Sequence, residues 1–155
     1  LYVVNSVQEE VGFHGATMIA QTIRPDVAII TDVTHDTSTP LIDAKQEGDV
    51  RLGLGPALTY APSVHRKLLQ LIEEAAQVNN IPFQRVASSR STGTDTDAFA
   101  YANGGIPSAL ISIPLRYMHT TVEMAHFEDI SHLINLISAS LQQIKSGHNF
   151  KYFDR

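Results

Sequence analysis

The residues best suited to chemistry are a few acids and one histidine, spread far apart in the chain. Glu9 and Glu10 are adjacent, Asp32 closes a short apolar run, Asp95 and Asp97 flank Thr96, and His119 comes just after Arg116-Tyr117. Carboxylates crowded into one crevice repel, and the repulsion is costly unless protons or a cation neutralise it. A bound divalent metal is the economical answer. The chain has no cysteine, which removes disulfides, thiolate nucleophiles and sulfur-ligated metals, so a metal must be held by His, Asp and Glu. Oxygen-rich ligands with a histidine suit zinc, cobalt or manganese in a hydrolytic site better than a structural zinc. If Glu9 and Glu10 lay in a regular strand, their side chains would point to opposite faces, so one could hold metal while the other addresses a water on it.

Each of these residues also has a plainer reading. Glu9-Glu10 can be a solvated loop pair, Asp32 can cap a turn with Thr34, His119 can be a hydrogen-bonded core histidine, and Asp95 can be a turn former. Arg116 either binds a substrate carboxylate or pairs with a neighbouring acid. Gly93 to Asp97 superficially suggests a calcium loop, but it lacks the Gly and distal Glu of that pattern and reads instead as a loop approaching substrate. His14, His35, His65, His126, His132 and His148 are taken as non-ligands. Of these, His65 and His132 are expected on solvent-facing helix faces, and His35, three residues past Asp32, is the one to watch. The joint placement of Glu9, Glu10, Asp32 and His119 at strand ends favours a site.

The elements that must position these residues alternate between strand and helix. Leu1 to Val7 is rich in β-branched and aromatic residues and reads as a strand, followed by a helix from Ala16 to Ile23. Val27 to Ile30 is a short buried strand that stops at Thr31-Asp32. Residues 33–62 read mostly as loop, with an edge strand near Asp49 to Leu52. Apolar residues at Val64, Leu68, Leu71, Ile72, Ala75 and Val78 mark one face of a helix ending near Asn79-Asn80. A third strand, Phe83 to Ala87, leads through a polar loop to a short helix, Asp97 to Ala102, that Gly104-Gly105 terminates. Ser108 to Ile113 is a fourth strand. The stripe Ile130, Leu133, Ile134, Ile137, Leu141 and Ile144 predicts a long amphipathic helix over Glu128 to Ile144. Such alternation implies an α/β fold with a largely parallel sheet sandwiched between helices, whose ligands bind beyond the carboxyl ends of the strands.

At 155 residues, with 43% apolar residues, the chain reads as one domain able to bury a core. Its formal charge of −5 and lack of any Lys/Arg run argue against nucleic acid as a partner. No apolar stretch approaches the ~20 residues needed to cross a bilayer, and no basic-then-apolar leader is present, so a soluble, cytoplasmic protein is expected. The opening Leu1-Tyr2-Val3-Val4 lacks an initiator Met and reads as the middle of a strand. A fragment of something longer is therefore expected.

Val7-Gln8-Glu9-Glu10-Val11-Gly12, Thr31-Asp32-Val33-Thr34, Thr96-Asp97-Ala98, and Arg116-Tyr117-Met118-His119 with Val122-Glu123-Met124 together resemble the tetrahedral aminopeptidases. These are dinuclear metallopeptidases that include glutamyl and deblocking aminopeptidases, some carrying an endoglucanase label. The resemblance covers nearly the whole chain in order. It implies a three-layer, zinc-peptidase-like sandwich with two divalent ions, zinc or cobalt, acting on N-terminal residues of peptide substrates. By that resemblance Glu9 is the general base, Glu10 and His119 hold one metal, and Asp32 holds the other. Asp97, Thr96 and Arg116 would face substrate. The family's further His and bridging Asp, and its inserted small β domain, would precede Leu1, which makes this chain the C-terminal part of the catalytic domain. The family also implies dimers that assemble into a hollow dodecamer.

Two rival readings compete with this one. A metal-independent glycoside hydrolase needs two carboxylates flanking one bond, about 5 to 9.5 Å apart, which adjacent glutamates in an extended segment do not easily provide. A non-catalytic assembly module is the other, because three candidate ligands cannot saturate two metals.

Overall fold

The structure is a computed structural model and describes residues 1–150. It contains five strands and five α-helices among the described residues, in the order α1 (His14–Ile23), β1 (Ala28–His35), α2 (Ala44–Glu47), β2 (Ala57–Tyr60), α3 (Arg66–Val78), β3 (Gln84–Ala87), α4 (Asp95–Ala100), β4 (Ser108–Arg116), β5 (Met124–Ala125) and α5 (Phe127–Gln143). A 3₁₀ turn at Ala102–Gly104 follows α4.

The strands form one mixed sheet in the order β1-β4-β2-β3, with β5 paired to β4. β1 and β4 run parallel in register, Asp32 beside Ser112 and His35 beside Leu115. β2 and β3 are also parallel to each other, but β2 joins β4 antiparallel through Ala57 and Leu58. The carboxyl ends of β2 and β3 therefore point away from those of β1 and β4. Helices α3 and α5 pack on each other and on β4, whereas α1 packs on α4, and α4 on β1 and β4. The core joins Ile30, Leu58, Leu68, Leu69, Ile72, Ala109, Leu110, Ile111, Leu133 and Leu136. The expected α/β sandwich is what the chain forms, its sheet divided between the parallel pairs β1–β4 and β2–β3 and the antiparallel pairings of β4 with β2 and β5.

Several sequence expectations need correction. Leu1 to Val7 forms no strand, and Leu1 is 95% exposed. A strand needs a neighbour to take its hydrogen bonds, and no strand lies beside this segment among the described residues. β1 runs on past Asp32 to His35 because β4 continues alongside it. Asp49 to Leu52 is not a strand: Val50 exchanges isolated bonds with Thr37, and the true strand is β2, hidden between Gly55-Pro56 and Pro62. The inner faces of both long helices are also rotated from expectation. Leu69 and Ala76 are buried in α3 while Val78 is not, and in α5 Leu136 is fully buried while Ile134 is 61% exposed.

Buried polar groups fix the loops around the sheet. Asp129, fully buried in the first turn of α5, accepts the amides of Gly53 and Gly55 at 2.7 and 2.8 Å. Gly55 has φ 94°, and a Cβ there would stand 2.2 Å from the Pro82 carbonyl oxygen, so this crossing admits only glycine.

Candidate active site

Glu9 and Glu10 lie in a turn. Gln8 is left-handed (φ 62°), and the Glu9 carbonyl accepts the amides of Gly12 and Phe13 at 3.2 and 3.1 Å, doubling the chain back into α1. The amides of His14 and Gly15 donate to the carbonyls of Gln8 and Val7. At Gly15 a Cβ would stand 2.5 Å from Val7 O and 2.6 Å from Val7 N. The start of α1 thus seats directly on the backbone that precedes the two glutamates. The two glutamates sit in this turn rather than in a strand, Glu9 half-buried and Glu10 exposed.

The partner arrives from the end of β4. Tyr117 and His119 are both left-handed (φ 57° and 63°), a conformation that disfavours side chains and needs tertiary support. Part of that support is Glu123, whose Oε1 accepts the His119 amide at 2.6 Å, and part is the Thr120 hydroxyl, which donates to the Tyr117 carbonyl. The result is a contact of 3.4 Å between His119 Nε2 and Glu10 Oε1.

Asp32 and Asp95 complete the neighbourhood. Asp32 is half-buried in β1, with its own Oδ1 accepting the Val33 amide at 2.7 Å. Burial raises its carboxyl above the usual range against the Val33 bond, the negative charges of Asp95 and Glu10 add to the rise, and His119 opposes it. Glu9 is raised likewise, first by burial and then by Asp32, Glu10 and Asp95. Glu9 and Asp32 therefore both feel the negative charges of Glu10 and Asp95.

Among the described residues no group of three His, Asp or Glu side chains is arranged to hold a metal. The donors still suit one. An imidazole touches a carboxylate, further carboxylates crowd alongside, and Asp95 Oδ1 is buried with no partner. That is part of a coordination sphere for a divalent cation, whose charge would relieve the repulsion.

The residues expected to face substrate are placed differently. Thr96 is fully buried, its hydroxyl accepting from Thr94 at 3.0 Å. Asp97 takes the amides of Thr92 and Gly93 on its carboxylate, so it braces the loop before α4. Both are drawn inward because Thr94 caps α4 and starts the helix at Asp95, two residues earlier than expected. Arg116 stands near the buried Asp36 and over the Tyr117 ring at 5.1 Å, which matches the reading as partner of a neighbouring acid. The acid that does reach the crevice from this region is Asp95, one of the two strand-exit acids of the sequence reading, whose plainer alternative was a turn former. His65 and His132 are half-buried rather than solvent-facing, and His35 carries a buried Nδ1 without a hydrogen bond.

A mixed sheet between helical layers, with acids and one imidazole gathered beside its parallel strands β1 and β4, defines an α/β domain of peptidase type. The M42 glutamyl aminopeptidase model matches residues 1–136, and the chain belongs to that family. It is 39% identical over 150 residues to a lysyl aminopeptidase of Pyrococcus furiosus, covering 94% of this chain and 41% of that protein. Among solved structures it resembles a TET aminopeptidase from a marine sediment archaeon of the Thaumarchaeota, with a TM-score of 0.77 and 28% identity over 90% of this chain and 42% of the other. A TET peptidase of Pyrococcus horikoshii, described as assembling into a tetrahedron or a large octahedral shell, matches with a TM-score of 0.68 and 29% identity over 86% of this chain and 38% of its own. The chain thus spans about two fifths of the length of the proteins it matches.

Proposed function

We propose that this chain is the C-terminal part of the catalytic domain of a metal-dependent aminopeptidase, which releases N-terminal amino acids from peptides. The observation that carries the reading is the meeting of Glu10 and His119 beside Glu9 and Asp32. Membership of the M42 family, whose peptidases are generally metal-dependent, supports it.

Glu10 and His119 would hold one divalent ion, zinc or cobalt, and Asp32 a second, with the remaining ligands supplied upstream of residue 1. Bound there, the ions would polarise the scissile carbonyl and acidify the attacking water. Glu9 takes the proton that the water gives up as its oxygen bonds to the carbonyl carbon. The same carboxyl then returns the proton to the leaving nitrogen as the C–N bond breaks. Partial burial and the surrounding acids make Glu9 a better proton acceptor than an ordinary exposed glutamate. The products are a free amino acid and a peptide shortened by one residue. Self-association into a dimer or a closed shell such as that of the Pyrococcus horikoshii peptidase is part of the same proposal.

The test uses the full-length protein, stripped with chelator and reloaded with zinc or cobalt, on a panel of aminoacyl anilides that includes glutamyl and lysyl. Activity should vanish on stripping and return on reloading. Turnover indifferent to metal throughout, or chelator-resistant release of sugar from cellulose-like polymers, would overturn the proposal.

A further inference from the structure

The segment that carries Glu9 and Glu10 has no helix or strand of its own before α1, so a few side-chain ties must fix its position. Among the described residues, two polar contacts reach from residues 1–13 to parts of the chain beyond α1. One is the Glu10–His119 pair, and the other joins the Ser6 hydroxyl to Asp95 Oδ2. Asp95 is well suited to serve as an anchor. It opens α4 directly after the Thr94 cap, Asp97 clamps the preceding Thr92 and Gly93 amides, and α4 packs against β1, the strand that carries Asp32. A chain of contacts therefore runs from Asp32's strand through α4 and Asp95 to Ser6, three residues before Glu9.

We propose that Asp95 is a positioning residue for the general base: by accepting the Ser6 hydroxyl proton it ties the Glu9–Glu10 turn to α4 and so sets where Glu9 stands relative to Asp32. This rests on the reading of Glu9 as base. The Glu10–His119 contact cannot do the same work, because both side chains are largely exposed. The tie at Ser6 is half-buried and closes next to the Gly15–Val7 contact, leaving the turn held from both sides.

The experiment uses the full-length metal-loaded enzyme with Ser6→Ala, Ser6→Thr, Asp95→Asn, the Ser6→Ala/Asp95→Asn double variant and Glu9→Gln. Ser6→Ala should lower kcat roughly 10- to 100-fold, as expected of a slightly misplaced catalytic group, with KM and metal content unchanged. Ser6→Thr, which keeps the hydroxyl, should restore most of the rate. The double variant should be no slower than the slower single one, because both changes cut the same tie. Independently of activity, amides 7–12 should exchange hydrogen faster in Ser6→Ala than in wild type.

Wild-type kcat and wild-type exchange in Ser6→Ala would overturn the proposal, as would additive losses or a loss that Ser6→Thr does not repair. A fully active Glu9→Gln would overturn the base assignment and this proposal with it. An inactive Glu9→Gln beside a fully active Ser6→Ala would overturn the positioning role alone.

Discussion

Glu10 Oε1 and His119 Nε2 meet at 3.4 Å although β1 to β4 separate them in the chain, and each is delivered by a left-handed turn rather than by a regular element. Both side chains are exposed, so the pair by itself adds little to stability. Two costly backbone turns that converge on a weak, exposed contact make physical sense when a third party binds between them. A divalent ion is such a party, and the following expectations separate the residues that would hold it from those that would use it.

Glu9→Gln in the full-length enzyme should cost roughly 10²- to 10⁴-fold in kcat, the usual worth of a positioned acid-base group, while bound metal per chain stays at the wild-type level. His119→Ala should lose metal as well as rate. Elemental analysis of dialysed protein beside anilide kinetics distinguishes them, and equal metal content in both variants would contradict the assignment.

Gly15→Ala should reduce activity without abolishing the fold. The new methyl meets Val7 backbone at 2.5 and 2.6 Å, so it must push the Glu9–Glu10 turn off α1. Circular dichroism should stay near native while kcat falls about 10-fold or more. An unchanged rate would show that the turn tolerates displacement.

Asp36 gives a pH-dependent expectation. Burial alone would raise its carboxyl, but the Ser38 hydroxyl and amide, the Leu52 amide and Arg116 outweigh burial and hold it below the usual range. A lowered folded pKa contributes stability that is present above the unfolded value of about 3.9 and is lost as pH falls through the folded value. Asp36→Asn should therefore destabilise by about 1–2 kcal/mol near pH 7, and the gap to wild type should close below about pH 4. Denaturant titrations at a series of pH values test the sign.

Asp129→Ala should destabilise by about 3 kcal/mol, because it leaves the Gly53 and Gly55 amides without acceptors in a buried site. Asp129→Asn, which retains one acceptor oxygen, should cost less. Thermal unfolding of the two variants side by side ranks them.

Much of this architecture was legible from residue spacing, and the failures have local causes. Both long helices announced themselves through apolar periodicity, yet their buried faces were misjudged by a fraction of a turn. Leu136 and Ile134, two residues apart, lie on nearly opposite sides of the helix, and contact with α3 and β4 decides which goes inside. β2 is four residues long between glycine and proline signals, too short for alternation to show. The contact of Glu10 with His119 joins two of the residues that the motifs singled out. Which of Asp95 and Asp97 reaches the crevice was not legible, because a cap at Thr94 rather than helix periodicity decides where α4 begins.

β1 lies at an edge of the sheet, eight residues long, with Asp32 as its one carboxyl side chain and no strand on its outer side among the described residues. Such a border is a template awaiting a complement. A strand supplied from elsewhere would extend the sheet along this rim. Whatever comes to cover that rim removes its capacity for edge-to-edge pairing.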